Sequence, residues 1–456
     1  MTSVDAELSW TESGVTRHAR WRSERLAPAP KRVVLADDTM AADSAYRLAC
    51  EGTGLLWRGD FQNARLLLQA LARRIDKPPK ASKTAKQERK KSASAELNGV
   101  PAGQAFHLYR QARAQRARVL GMVLIEFAAD YSIALRRAPD AKLACTQAWG
   151  PATDGETHNA DSQAVASSVA SLRELMGVIS AHEWRKKGVE IAALTGSGAA
   201  AGSAAAVEAA AGSAASANAS GGEGPVGPAG PAAAAMAKAA AHHPNNRIYP
   251  HYGVFSPVRG EYVDLVANAP LPTRRPAKFV AFDIGTGTGV LAAVLALRGI
   301  DQVVATDQDP RAIDCAKENI YKLRLPNPVK VMQADLFPQG LASIIVCNPP
   351  WLPARPGSPL ERAVYDEGGH MLLGFLSGVA AHLAPHGEAW LILSDFAEHL
   401  GLRTRAELLA AIAAGGLKVL GRLDAQPLHA KALDASNPLA DARGREVTSL
   451  WRLGAA

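Results

Sequence analysis

Cysteine is scarce in this 456-residue chain: Cys50, Cys145, Cys315 and Cys347 lie far apart, with neither the density of a disulfide framework nor the paired spacing of a zinc site. They read as buried thiols in a reducing compartment. Aromatic residues make up only 5% of the chain while alanine is abundant, which suits helices and a small-residue α/β core better than a β-sandwich. No run of about 18 apolar residues is present to span a bilayer, and the N-terminus lacks the basic, apolar, small-residue order of a secretory signal. The expected location is cytoplasmic. Histidines such as His18, His242 and His399 share no metal-ligand spacing, so no metal is expected.

What is present divides unevenly. The length exceeds what one hydrophobic core usually organises, so two domains with linkers are expected. The net charge of +8 is carried by the front of the chain: residues 1–150 hold 25 Lys and Arg against 15 Asp and Glu, and the remainder holds 26 against 28. A basic front half beside a near-neutral back half fits a polyanionic partner such as RNA, because Lys and Arg gain affinity by releasing phosphate counterions. A solvated surface would carry the same charge.

Residues 1–39 mix charges and prolines without periodicity and read as a loosely ordered tail. Residues 40–195 read as a mainly helical domain. Ala45, Leu48, Ala49, Leu55 and Leu56 recur at helical spacing, Gly59-Asp60 breaks the pattern, and Phe61, Leu67 and Leu71 resume it. Residues 77–100 form a basic insert with almost no apolar side chains, expected to be disordered. A second helical run from Phe106 to Phe127 carries Arg110, Arg113, Arg116 and Arg118, expected along one exposed face, and Val169, Leu172, Leu175, Met176 and Ile179 mark a third. Residues 196–245 are alanine, glycine and serine with scattered prolines, a composition that reads as a flexible linker.

From residue 246 to 456 short β-branched runs alternate with helical segments, the rhythm of a doubly wound, Rossmann-like α/β sheet, mostly parallel with the last strand antiparallel. The spacing predicts strands at 279–284, 302–306, 329–333, 343–347, 388–393, 417–422 and 447–451. The first ends in Asp283-Ile284-Gly285-Thr286-Gly287-Thr288-Gly289 and runs into a helical pattern, so its glycines let the backbone turn and approach a ligand where such folds bind cofactors. Gly289 lies two positions after Gly287 rather than three, which speaks against a dinucleotide fingerprint, and no Lys-Ser/Thr ending makes it a P-loop. The fourth strand delivers Asn348-Pro349-Pro350-Trp351.

Asp283 with three alternating glycines resembles the cofactor loop of class I S-adenosylmethionine-dependent methyltransferases, and the tetrapeptide resembles that of their amino-methyltransferase group. The resemblance covers roughly residues 246–456. It implies S-adenosylmethionine as cofactor, with Gly285, Gly287 and Gly289 close to its methionine and ribose and Asp283 and Thr286 also among its binding residues. It also implies Asp307 on the ribose hydroxyls, Asp335 and the Leu336 amide on the adenine, and Asn348 as a further cofactor-binding residue. Asn348, Pro349, Pro350 and Trp351 are the implied catalytic residues. A neutral amide nitrogen is a poor nucleophile, so such a site must orient it: the Asn348 oxygen and Pro349 carbonyl accept its hydrogens, the prolines stiffen the loop and the indole stacks on its plane.

The same tetrapeptide occurs in enzymes acting on DNA adenine, on rRNA bases and on the glutamine of peptide release factors. Gly253 to Glu261 resembles the lead-in of the release-factor enzymes, with proline and glutamate equally spaced but no Pro-Arg-Pro run, and Gly368-Gly369 falls near their substrate-loop glycines. An rRNA base is the first expectation and a protein glutamine the alternative. A DNA adenine enzyme is a weaker fit, since no further α/β region reads as a target-recognition domain. A degenerate module that only binds a partner is weaker still, given an intact glycine loop and tetrapeptide.

Overall fold

A computed structural model describes residues 7–24, 27–76, 101–152, 167–195, 246–274, 276–358, 360–427 and 439–456. The expected basic insert at 77–100 and linker at 196–245 lie outside them. The chain forms two compact units, one of Met1–Glu183 with Gly357–Pro359 and one of Trp184–Pro356 with Leu360–Ala456.

The first unit is built on a sheet. Strands β1 (Glu7–Glu12) and β2 (Val15–Arg22) make an antiparallel hairpin whose two-residue turn, Ser13 and Gly14, has φ of 52° and 77°, the left-handed pair that matches strand twist. Then come β3 (Arg32–Ala36), α1 (Ala42–Cys50), β4 (Thr53–Trp57), α2 (Phe61–Asp76), α3 (Ala102–Leu120), β5 (Val123–Phe127), α4 (Lys142–Trp149), β6 (Ser168–Ser171) and α5 (Leu172–Lys187), the last of which crosses into the second unit. The sheet order is β1-β2-β6-β5-β4-β3, with β3, β4 and β5 parallel.

This corrects two expectations. The described residues of 7–36 hold three strands rather than a loose tail, and those of 40–195 are α/β rather than mainly helical. Leu55 and Leu56 belong to β4, which is buried along all five residues. A strand covered on both faces shows a continuous apolar run, which periodicity cannot separate from a helix. Helix α3 does carry the four arginines, but they are engaged by neighbours: Arg116 forks onto Asp76 at 2.9 Å, Arg118 donates to the Cys50 carbonyl, Arg113 donates to the Tyr109 hydroxyl and Arg110 lies over the Phe106 ring.

The second unit opens with a short pairing of β7 (Val189–Glu190) and β8 (Arg247–Ile248), followed by α6 (Glu261–Asn268). Its main sheet comprises β9 (Val280–Ile284), β10 (Gln302–Asp307), β11 (Val329–Gln333), β12 (Ala342–Cys347), β13 (Leu383–Ser394), β14 (Leu417–Ala425) and β15 (Thr448–Ala455). They lie in the order β11-β10-β9-β12-β13-β15-β14. β15 alone runs antiparallel, wedged between β13 and β14. Every strand expected from the spacing is present, and the fold is the Rossmann-like one anticipated.

Helix α7 (Val290–Leu297) is apolar throughout and packs with α6 into one core against the sheet. α9 (His370–Gly378) and α10 (Arg405–Ala414) fill the core on the other face. α8 (Pro310–Leu323) starts on a designed cap: Asp309 accepts the Arg311 amide and Pro310 occupies the first turn, where no donor is needed. Strand order reverses between β9 and β12, and the loops leaving their carboxyl ends open the crevice where such sheets bind ligands.

Candidate active site

The glycine loop leaves β9 and the tetrapeptide leaves β12, and register joins them: Cys347 pairs with Ile284, so Gly285 and Asn348 emerge side by side. On the other flank Thr306 pairs with Ile284, which puts Asp307 at the same edge. Gly285, Gly287 and Gly289 have φ of 70°, 54° and 83°, a left-handed path that a Cβ would strain. No atom lies within 4 Å of the place a Gly287 Cβ would take, so the loop presents open backbone there.

Two aspartates act differently. Asp283 is 1% exposed and turned inward, its Oδ2 accepting the Thr286 hydroxyl at 2.6 Å and the Ala292 amide at 3.0 Å. Burial pushes its carboxyl up to about 7 against these bonds. It and Thr286 thus brace the loop onto α7 rather than extending from it. Asp307 receives the Gly287 amide at 3.0 Å on one oxygen and the Asp309 amide at 3.0 Å on the other, with its carboxyl also raised by burial. Its spare lone pairs stand where two hydroxyls could be bound.

At the end of β11, Asp335 is exposed, and Leu336 adopts φ of 63° with its carbonyl accepting the Thr306 hydroxyl at 2.6 Å. In the tetrapeptide the Trp351 indole donates to Asn348 Oδ1 at 2.8 Å, fixing which end of the amide faces it. Pro349 is buried and Pro350 half-buried. Gly368 and Gly369 both take positive φ and lead into α9, where Asp366 accepts the Met371 amide at 2.7 Å. Met371 in turn lies against Gly285, close enough that a Cβ there would run into its methyl.

Several groups escaped the reading of the sequence. Asn319 of α8, fully buried, accepts the Tyr249 amide at 2.8 Å and donates to the Thr288 carbonyl at 3.0 Å, stitching the lead-in segment to the glycine loop. Glu318 nearby is bound by Arg185, His251 and Lys322; burial alone would raise its carboxyl, but these bonds outweigh it and hold it at about 2. Arg259 stacks its guanidinium 5.4 Å from the Trp351 ring centre and forks onto Glu446 at 3.1 and 3.3 Å. Arg259 belongs to the Gly253–Glu261 lead-in, but a partner 187 residues on leaves no signal in sequence spacing.

The glycine backbone, the strand-end carboxylate of Asp307 and the Leu336 turn together fit S-adenosylmethionine: open backbone for its amino-acid portion and an acceptor for its ribose. Residues 245–405 match the methyltransferase small domain family. Ribosomal protein L11 methyltransferase of Clostridium perfringens (strain SM101 / Type A) is 43% identical over 74 residues, 16% of this chain and 23% of its own. That of Bordetella parapertussis is 30% identical over 134 residues, 29% of this chain and 42% of its own. The chain thus spans less than half the length of these relatives. Among solved structures, ribosomal protein L11 methylase from Lactobacillus delbrueckii subsp. bulgaricus aligns with 45% of this chain and 83% of its own at 17% identity and a TM-score of 0.31, so the fold assignment stays with the strand order above.

Proposed function

We propose, from the premise that residues 245–405 make the second unit a methyltransferase small domain, that this chain transfers a methyl group to a planar amide or amino nitrogen of a macromolecule, first of all a base of ribosomal RNA. The observation that carries the chemistry is the placement of Asn348-Pro349-Pro350-Trp351 beside the glycine loop, on adjacent strands in register. When bound, S-adenosylmethionine supplies an electrophilic methyl carbon on a sulfonium. Gly285, Gly287, Asp307, Asp335 and Leu336 are the residues that would hold it.

The acceptor nitrogen sits against the tetrapeptide. Asn348 Oδ1 keeps a lone pair after accepting the Trp351 indole, and that lone pair, with the Pro349 carbonyl, receives the two amino hydrogens. Holding both hydrogens in the amide plane leaves the nitrogen lone pair on the perpendicular, the direction from which it attacks carbon. As the nitrogen–methyl bond forms, the methyl–sulfur bond would break with its electron pair left on sulfur as a neutral thioether, and the nitrogen would shed one proton to solvent. Catalysis is by orientation and electrostatics, with no covalent enzyme intermediate.

The basic first 150 residues support RNA as acceptor, and seven Lys and Arg against two Glu over 77–100 add to it. A second reading, transfer to a protein nitrogen such as glutamine, is favoured by the relatives' action on a ribosomal protein and by the lead-in resemblance. Mass spectrometry of rRNA nucleosides and of release-factor and ribosomal-protein peptides, from cells with and without the gene, separates them. A methyl group lost from rRNA supports the first reading, one lost from a peptide the second, and no loss from either sinks both.

A further inference from the structure

We propose that Arg259 and Glu446 are positioning residues that set the Trp351 indole, and through its hydrogen bond the Asn348 amide, for methyl transfer; this rests on the reading of residues 348–351 as the acceptor site. An asparagine amide on a loop turns easily about its last bond, and half of its orientations present NH2 where an acceptor is needed. Here the Trp351 indole, 2.8 Å from Asn348 Oδ1, selects the orientation that keeps oxygen inward. The indole therefore has to be held itself.

Its ring is half-buried and meets the Arg259 guanidinium at 5.4 Å from its centre. The fork of that guanidinium faces away, onto Glu446, with Nη1 to Oε1 at 3.1 Å and Nη2 to Oε2 at 3.3 Å. Glu446 is 4% exposed and fixed from a further side by the Ser394 hydroxyl at 2.8 Å. Glu261 approaches Arg259 Nε at 3.6 Å. The lead-in segment, the end of β13 and the turn before β15 thus converge on one planar cation whose face lies on the tetrapeptide. The arrangement asks for arginine: lysine could neutralise Glu446, but has neither a fork for both oxygens nor a flat face for the indole.

The conservative variants Arg259→Lys and Glu446→Gln test this in the full chain. Three readouts are taken: S-adenosylmethionine affinity by calorimetry, transfer of tritiated methyl from S-adenosylmethionine to ribosomes from cells lacking the gene, and acrylamide quenching of Trp351, isolated by subtracting the Trp351→Phe protein. The expected result is unchanged cofactor affinity, a kcat lower by about 10- to 100-fold with KM little altered, and a more quenchable Trp351 in both variants. Parental quenching in both variants overturns the proposal whatever the activity, and so does a parental kcat. A cooperative loss of melting temperature that takes cofactor binding with it shows a merely structural pair and also overturns it. A parent that transfers no methyl to ribosomes bears on the proposed function, and the quenching comparison still decides the clamp.

Discussion

Left-handed backbone at Gly285 sets a limit on what the cofactor loop tolerates. An alanine there meets a φ of 70°, which costs an L-residue about 1–2 kcal/mol. The Met371 methyl beside it can swing away, so backbone strain rather than collision dominates. Gly285→Ala is expected to weaken S-adenosylmethionine binding by roughly tenfold in calorimetry while the protein stays folded. Asn348→Ala acts at the other end of the crevice: transfer should fall by about 10²–10³-fold with cofactor affinity nearly intact, and a fully active variant refutes the role given to that amide. Asp283 makes a pH-dependent case. Its folded carboxyl keeps a proton up to about 7 where an ordinary aspartate releases it near 3.8, so the native state binds more protons between those values and loses stability as pH rises across them. Denaturant melts of the parent and Asp283→Asn at pH 5 and pH 8 should show the parent losing ground to the variant at the higher pH; a constant difference contradicts the burial of that charge. The glycines and Asp307 were legible at this scale because each is dictated by one local demand, a turn or a strand end. Asp283 and Thr286 were legible as members of the loop, but their inward direction was not, since sequence does not say which way a strand-end side chain points.

Elements were read well where short β-branched runs alternate with helical stretches. All seven strands of the main sheet follow from that alternation. The first unit was misread because β4 and β5 are short, apolar and flanked by helices, so their residues continue a helical count. Sheet order decides them, and pairing between distant segments is not written in spacing. Contacts between elements follow the same rule, as Asn319 shows by joining α8 to both the lead-in and the glycine loop. Asn319→Leu keeps the branched shape but strands the Tyr249 amide and the Thr288 carbonyl, an expected loss of about 2–6 kcal/mol in chemical denaturation at roughly 1–3 for each orphaned group. A neutral substitution would mean that water replaces both bonds.

Across the whole molecule the charge asymmetry has a measurable consequence. If RNA is the acceptor, neutralising Z phosphates gives binding whose logarithm falls with log salt at a slope of about −0.7 to −0.9 for each phosphate, so affinity for ribosomal RNA measured by filter binding should drop steeply as salt is raised. A flat salt response favours a protein acceptor. No helix among the described residues is long and apolar enough to cross a membrane. The position of β15 bears on how the second unit is made. Translation releases β13 and β14 well before residues 448–455, yet these two strands hydrogen-bond to β15 and not to each other. Until it arrives, β13 offers the nascent chain an open strand edge and β14 has no place in the sheet, so the unit spends the last stage of its synthesis exposed to mispairing. A premature stop before Thr448 would make that transient condition permanent, removing an interior strand rather than trimming a tail.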